Sequence, residues 1–293
     1  MKYNLKYFLV PFFIFSAILY SQQNTADSLV NELENVSGEK KVDLLIELSD
    51  IYQYINTNIA IEHASNAVEL ASAINYKKGL ATSYGSLGYC YVNLDNPKAL
   101  EYTQKALKLR TELDDKVGIS TSLNVMGVIF YYKGDYLNSI DYHLKSLKMR
   151  EDIGDEIKIA TSYNNIALVH IALENYHDAL DYLNKALTIR IKTENKRGIA
   201  IVYDNIGDVY SKLGNYEKAF ECFDKSLSIN KEIGNKKSAA NSYFNIAVVY
   251  KSLSDFSNAL TYYYQSLAIY NDLDEKNGIA NVENGIASVY NMQ

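Results

Sequence analysis

Residues 197–235 read RGIAIVYDNIGDVYSKLGNYEKAFECFDKSLSINKEIGN, and the stretch returns on either side at a shift of forty. Upstream, residues 157–195 read IKIATSYNNIALVHIALENYHDALDYLNKALTIRIKTEN. Downstream, residues 237–275 read KSAANSYFNIAVVYKSLSDFSNALTYYYQSLAIYNDLDE. A fixed period of this length marks a solenoid, in which each unit stacks on its neighbours. Within one unit Tyr203, Ile206, Gly207 and Tyr210 recur at helical spacing and make one apolar face. Gly214-Asn215-Tyr216 interrupts the pattern, with Gly for the turn and Asn to cap a second helix. In that second helix Ala219, Phe223, Ser226 and Leu227 form the inward stripe. Gly207, Ala219 and Ser226 are small where two helices approach. A helix pair this short cannot bury its stripes alone, so several copies share one core.

The pattern aromatic-x-x-apolar-small-x-x-aromatic, then G-N-Y-x-x-A, then F-x-x-small-L resembles the tetratricopeptide repeat. Tyr203, Ile206, Gly207, Tyr210, Gly214, Tyr216, Ala219, Phe223 and Ser226 stand at its signature positions. The proline that closes the family's shorter unit is missing, and the extra residues lengthen the helices, as in the longer variety found in adaptor and sensor proteins. The resemblance implies an all-α fold, a right-handed α-solenoid (superhelix) of tandem antiparallel helix pairs. Repeats are expected at about 39–77, 78–116, 117–156, 157–196, 197–236 and 237–276, with a terminal helix at 277–293, so that the array spans 39–293. Within the second repeat the turn holds Pro97 and is one residue short: Gly88 to Ala99 is eleven steps, Gly127 to Ser139 twelve. Residues 22–38 are expected to form an N-terminal capping helix over 27–36, with Leu29, Val30 and Leu33 covering the first repeat.

Junctions between repeats are short. Gly154-Asp155 and Gly234-Asn235 read as left-handed helix ends, whereas equivalent junctions carry Asp114, Glu194 and Asp274. Those acidic residues imply that the turn does not require a left-handed residue everywhere.

Residues 1–21 differ in kind. Lys2 and Lys6 precede an uncharged, largely apolar run from Tyr7 to Tyr20, the form of a secretory signal peptide. The run is shorter than a membrane span needs, and cleavage is expected near Ser21-Gln22; an uncleaved anchor is the alternative. This places the chain among exported proteins, periplasmic or in a bacterial cell envelope. Of 29 Lys and Arg, removing these two leaves 27 against 35 Asp and Glu, a net charge of −8. That balance opposes non-specific attraction to nucleic acid or to an anionic membrane. Membrane contact is expected only through an uncleaved N-terminus or a missing C-terminal part. Cys90 and Cys222 fall three repeats apart, beyond the roughly 7 Å between Cα atoms that a disulfide allows, and are expected as free, packed thiols.

No catalytic or metal-binding pattern appears. His63, His143, His170 and His177 show no metal spacing, and His143 and His170 occupy consensus aromatic positions. No phosphate-cradling glycine loop is present, so neither enzyme activity nor a cofactor nor a metal is expected. Arg110, Arg150 and Arg190 form a column forty apart near the ends of second helices. Cations suit helix C-termini, and the column reads as a solvated face in preference to a ligand-reading ridge.

In the family, first helices line a concave groove, and the resemblance implies ligand contacts from their inward face. Carried over by position, the groove comprises Asn124; Thr161, Asn164 and Asn165; Asp204, Asn205 and Asp208; Asn241, Phe244 and Asn245; and Asn284. Asn side chains donate and accept, so a ladder of them matches the backbone of an extended peptide; equally, Asn165, Asn205 and Asn245 can hold neighbouring turns together. The Lys and Arg that clamp a terminal carboxylate in the family's chaperone-tail receptors have no counterpart on these first helices. Asp204 and Asp208 make the groove mildly acidic, which favours a neutral or basic protein or peptide segment. The resulting expectation is a non-enzymatic, exported, peptide-binding scaffold. The alternative is the extracytoplasmic sensor region of a bacterial signalling protein, of histidine kinase or transcriptional regulator type, cut before its membrane helix and output domain.

Overall fold

The computed structural model describes residues 25–293 apart from Tyr54. The expected signal peptide, 1–21, and its cleavage point lie outside the described residues. What is described is helical throughout, with no strand, and divides into two compact units, one ending at Leu173 and the other starting at Glu174.

The first unit holds α1 (25–33), α2 (Gly38–Tyr52), α3 (Thr57–Ala73), α4 (Lys77–Tyr91), α5 (Asn96–Glu112), α6 (Lys116–Tyr132), α7 (Tyr136–Ile153) and α8 (Glu156–Ala172). The second holds α9 (Tyr176–Lys192), α10 (Lys196–Lys212), α11 (Tyr216–Glu232), α12 (Lys236–Ser252), α13 (Phe256–Asp272) and α14 (Lys276–Met292). The helix expected over 27–36 runs instead over 25–33. Its Ala26, Leu29 and Leu33 pack onto α2 and α3, while Val30 is exposed.

An Asp or Asn precedes helix after helix at intervals of twenty, and all but Asn175 cap that helix with the side chain: Asp95, Asp115, Asp135, Asp155, Asn195, Asn215, Asn235 and Asp255. Each accepts the backbone N–H three residues on. Such a cap contributes about 1 kcal/mol to its helix. Pro97 sits in the first turn of α5, where its missing N–H costs nothing.

The opposite ends correct an expectation. Asn75, Asp114, Glu174, Glu194, Ser254 and Asp274 all have φ between 51° and 61°, alongside Gly134, Gly154, Gly214 and Gly234 at 71–80°. Every junction from α5 onward is therefore left-handed, whichever residue occupies it. The cause is the closing hydrogen bond: Asp115 N–H reaches Arg110 C=O at 2.9 Å, and Asn195 N–H reaches Arg190 C=O at 3.0 Å. That bond, from the second residue past the helix to its last turn, forms only around a left-handed residue. The short turn between α4 and α5 contains none.

Within a pair the helices run antiparallel at close range. Ser139 Oγ donates to Gly127 C=O (2.8 Å) and Ser146 Oγ to Ser120 C=O (2.7 Å), so α7 retraces α6. In the second unit Ser266 repeats the Ser146 contact, donating to Ala240 C=O at 2.8 Å. Small residues on one helix face large ones on the other. A Cβ on Gly207 would lie 2.6 Å from the Phe223 ring, and one on Gly127 would lie 2.6 Å from the His143 ring. The core is shared between neighbouring pairs: Ala219, Phe223 and Leu227 of α11 form one cluster with Ala239, Ile246 and Val249 of α12. Each unit is thus an α-solenoid of tandem helix pairs, and burying a side chain such as Phe223 contributes about 2 kcal/mol.

Cys90 and Cys222 are buried free thiols; burial pushes the Cys90 thiol up to about 11. Among the described residues no helix is long and apolar enough to cross a membrane.

Candidate ligand groove

In the second unit, the first helices of successive pairs (α10, α12 and α14) line a cavity of about 400 Å³. Five groove residues named from the sequence meet there: Asp204 and Asn205 from α10, and Asn241, Phe244 and Asn245 from α12. They converge because 204, 244 and 205, 245 are the same two helical positions one repeat apart. Ile201 and Asn281 extend the lining on either side. Asp208 and Asn284 do not line the cavity. Asp208 stands one turn further along α10, with Lys212 Nζ at 3.9 Å.

The cavity is polar on one wall and aromatic on the other. Asp204 accepts from Ser242 Oγ at 3.0 Å, and burial raises its carboxyl to about 6 despite hydrogen bonds from Ser226 and Ser242 that favour the ionised form. Burial also raises Asp208, with Lys212 opposing. Phe244 packs edge-on against Tyr263, ring centroids 5.5 Å apart. Tyr270 and Ser238 complete the lining and were not anticipated. Tyr270 lies at the end of α13, in register with Arg110, Arg150 and Arg190, and its hydroxyl donates to Asn241 Oδ1. The register was visible in the sequence, but a second-helix residue reaching into the first-helix face was not.

In the first unit Asn124, Thr161, Asn164 and Asn165 lie on α6 and α8, all part-buried. Asn165 Nδ2 donates to Asn124 Oδ1 at 3.0 Å, so this pair joins neighbouring repeats. Thr161 Oγ1 donates to Ile157 C=O at 3.1 Å.

The arginine column is the second correction. Arg110 is 8% exposed and Arg150 3%. Each turns inward from the end of its helix. Arg110 Nη1 donates to Gly118 C=O (3.1 Å) and Ser122 Oγ (2.7 Å); Arg150 Nη1 donates to Lys158 C=O (3.0 Å) and Ser162 Oγ (2.7 Å). The guanidinium therefore fastens one pair to the first helix of the next. Burial lowers Arg150 to about 10, with Asp155 opposing. His143, as its aromatic position implied, is a core residue: burial and then the Arg150 charge hold it down to about 4.

A family model described as tetratricopeptide repeat matches residues 79–152, 118–192, 158–232 and 198–272. No curated protein matches the chain. Among solved structures it is similar to BtubC (BKLC) from P. vanneervenii, at 21% identity and a TM-score of 0.63, over 75% of this chain and 93% of that one. It is similar to the signal transduction ATPase PH0952 from Pyrococcus horikoshii, described as having a tetratricopeptide repeat sensor, at 19% identity and a TM-score of 0.66. There the match covers 91% of this chain but 43% of that one. A Rap protein complexed with Competence and Sporulation Factor matches at 15% identity and a TM-score of 0.66, over 91% of this chain and 79% of that one. At these identities the likeness is one of fold. The repeat model spans most of the sequence in the phase read from residues forty apart, and the chain belongs to the tetratricopeptide repeat family.

Proposed function

We propose that the chain is a non-enzymatic scaffold that holds a protein or peptide segment against the inward face of its first helices. The observation that carries this reading is the cavity between α10, α12 and α14, where amides from three successive first helices surround an aromatic ring. Asn205 and Asn245, and likewise Asn241 and Asn281, bring donors and acceptors at intervals of one repeat, the arrangement an extended backbone can meet. Phe244 supplies an apolar contact, and the Asp204 and Asp208 carboxyls favour a neutral or basic segment. Members of this family are in general scaffolds, and one neighbour of the same fold is described in complex with a signalling factor.

The apolar N-terminal run supports export, with the groove working outside the cytoplasm. The sensor reading is favoured by the neighbour whose repeats are described as a sensor; in it, ligand capture in the same groove is the input to an output domain.

The test is selection of peptides from a displayed library against residues 22–293, followed by titration of the selected peptide. Phe244→Ala with Asn245→Ala is expected to weaken binding by about tenfold or more, since packing and hydrogen bonds worth about 1.4 kcal/mol change affinity tenfold, with thermal unfolding little changed. Undiminished affinity in the double variant overturns the groove.

A further inference from the structure

Two sets of residues, eighty apart in the chain, take the same positions in the repeat and differ at a cation. In the first unit Arg150 stands near the end of α7, and its Nη1 meets three acceptors: Lys158 C=O at 3.0 Å, Ser162 Oγ at 2.7 Å and Asn124 Oδ1 at 3.5 Å. In the second unit the residues at these positions are Asn230 for the arginine, and Ser238, Ser242 and Asp204 for the acceptors. The carbonyl and the hydroxyl are kept, and the amide has become a carboxylate. The guanidinium is missing, in the repeat where an acid stands ready to pair with it.

Asn230 does not replace the cation. Its Nδ2 donates to Ser226 Oγ at 3.1 Å, one turn back in α11. Hydroxyls alone answer the acid: Ser242 Oγ donates to Asp204 Oδ1 at 3.0 Å, and Ser226 adds a second hydrogen bond. Among the described residues no Lys, Arg or His pairs with Asp204, whereas Asp208, one turn on, has Lys212 at 3.9 Å. Asp204 and Ser238 both line the cavity of about 400 Å³ between α10, α12 and α14. Burial penalises the ionised carboxyl there, and a cation in contact would offset that cost. Phe244 and Tyr270 line the same cavity and offer apolar surface to a methylene stem.

We propose that this cavity seats an arginine side chain of the bound peptide, its guanidinium donating to Asp204 and the Ser238 carbonyl as Arg150 does to Asn124 and Lys158. The ligand thus supplies the cation that the chain itself supplies two repeats earlier. A guanidinium fits in preference to an ammonium, because its planar fork can give a carboxylate two N–H groups at once. This deepens the groove reading, on which it rests for a peptide as the occupant, and adds the side chain that the groove selects.

The probes are acetyl-Ala-Arg-Ala-amide and its citrulline counterpart, which keeps the shape and loses the charge. They are titrated at neutral pH into protein carrying carboxyl-labelled aspartate, and the Asp204 resonance, identified by its loss in Asp204→Asn, is read by NMR. The arginine peptide should shift that resonance saturably, and the citrulline peptide should bind about tenfold more weakly or not at all. Asp204→Asn, with binding read from the peptide's own signals, should weaken the arginine peptide about tenfold or more. Asn230→Arg returns the cation from within the chain and should exclude the peptide to a similar degree; Asp204→Asn decides the matter if that variant does not fold. An unmoved Asp204 resonance, equal binding of the citrulline peptide, or undiminished binding in Asp204→Asn overturns the proposal. A library-selected peptide that still depends on Phe244 and Asn245 would then leave the groove standing without its arginine seat. Conversely, a selected peptide indifferent to those two residues, beside an arginine peptide that moves Asp204, would keep the seat and remove the extended groove.

Discussion

Asn165 Nδ2 donates to Asn124 Oδ1 across 3.0 Å, joining two first helices through residues forty-one apart in the chain. The same Asn124 oxygen lies 3.5 Å from Arg150 Nη1. One amide thus ties a first helix to its neighbour and to the buried cation between them. Removing either partner leaves a part-buried polar group unsatisfied, at a cost of about 1–2 kcal/mol. Asn124→Ala and Asn165→Ala should each lower the denaturation midpoint of the first unit, and the double variant should cost less than their sum. Strict additivity in this double-mutant cycle would show that the bond contributes nothing.

The acidic left-handed junctions predict a gain. Glu194 at φ 51° carries a Cβ in a conformation that costs about 1–2 kcal/mol relative to a right-handed residue, and glycine is free of that penalty. Glu194→Gly should raise the unfolding free energy of the second unit, read from urea titration, by roughly 1 kcal/mol, and Gly154→Ala should lower that of the first by a similar amount. A Glu194→Gly protein less stable than its parent would contradict the closing geometry described for these junctions.

His143 makes the first unit acid-sensitive. Its folded pKa is held down to about 4 by burial and by Arg150, against an ordinary 6.5. Because the unfolded chain binds the proton more readily, the stability of the neutral form is complete above pH 6.5 and is lost as pH falls toward 4. Gly207 already receives a phenylalanine, Phe223, in the equivalent packing. His143→Phe should therefore fold, and the fall in melting temperature between pH 6.5 and 4.5 should become shallower. An unchanged acid slope would place the titration elsewhere.

Asp204 works in the opposite direction in the second unit. Burial raises it to about 6, so the folded state binds a proton more tightly than the unfolded chain. Its contribution is best below pH 4 and declines as pH rises to 6, leaving a full penalty at pH 7. Asp204→Asn keeps an acceptor for Ser242 and should stabilise the second unit at pH 7, by on the order of 2 kcal/mol, with little change at pH 4. Equal effects at both pH values would contradict the burial of an ionised carboxyl.

The periodic features were legible because they are local. Tyr203, Gly207, Ala219 and Phe223 announce two helices and their close approach without any knowledge of the neighbours, and the structure pairs Gly207 with Phe223. The left-handed junctions were hidden because no non-glycine residue signals that conformation as glycine does; the hydrogen bond to Arg110 or Arg190 imposes it. The arginine column was misread because a charge near a helix end is by default a surface charge. Its burial depends on Ser122 and Ser162, which belong to the next repeat and become partners only once the pairs stack. The groove residues could be placed on one helix face from spacing. Which of them meet in a cavity depends on that stacking too, and it brings Asp204, Asn241 and Phe244 together while leaving Asp208 and Asn284 outside.

The most direct test of the ligand-binding face is photo-cross-linking with a library-selected peptide, using a benzophenone amino acid in place of Phe244, inside the cavity, or of Ser228, exposed on the second helix α11. Cross-links at position 244, suppressed by excess unlabelled peptide, and none at 228 are the predicted result. Specific cross-linking at 228 with none at 244 would contradict the account and move the binding face to the second helices.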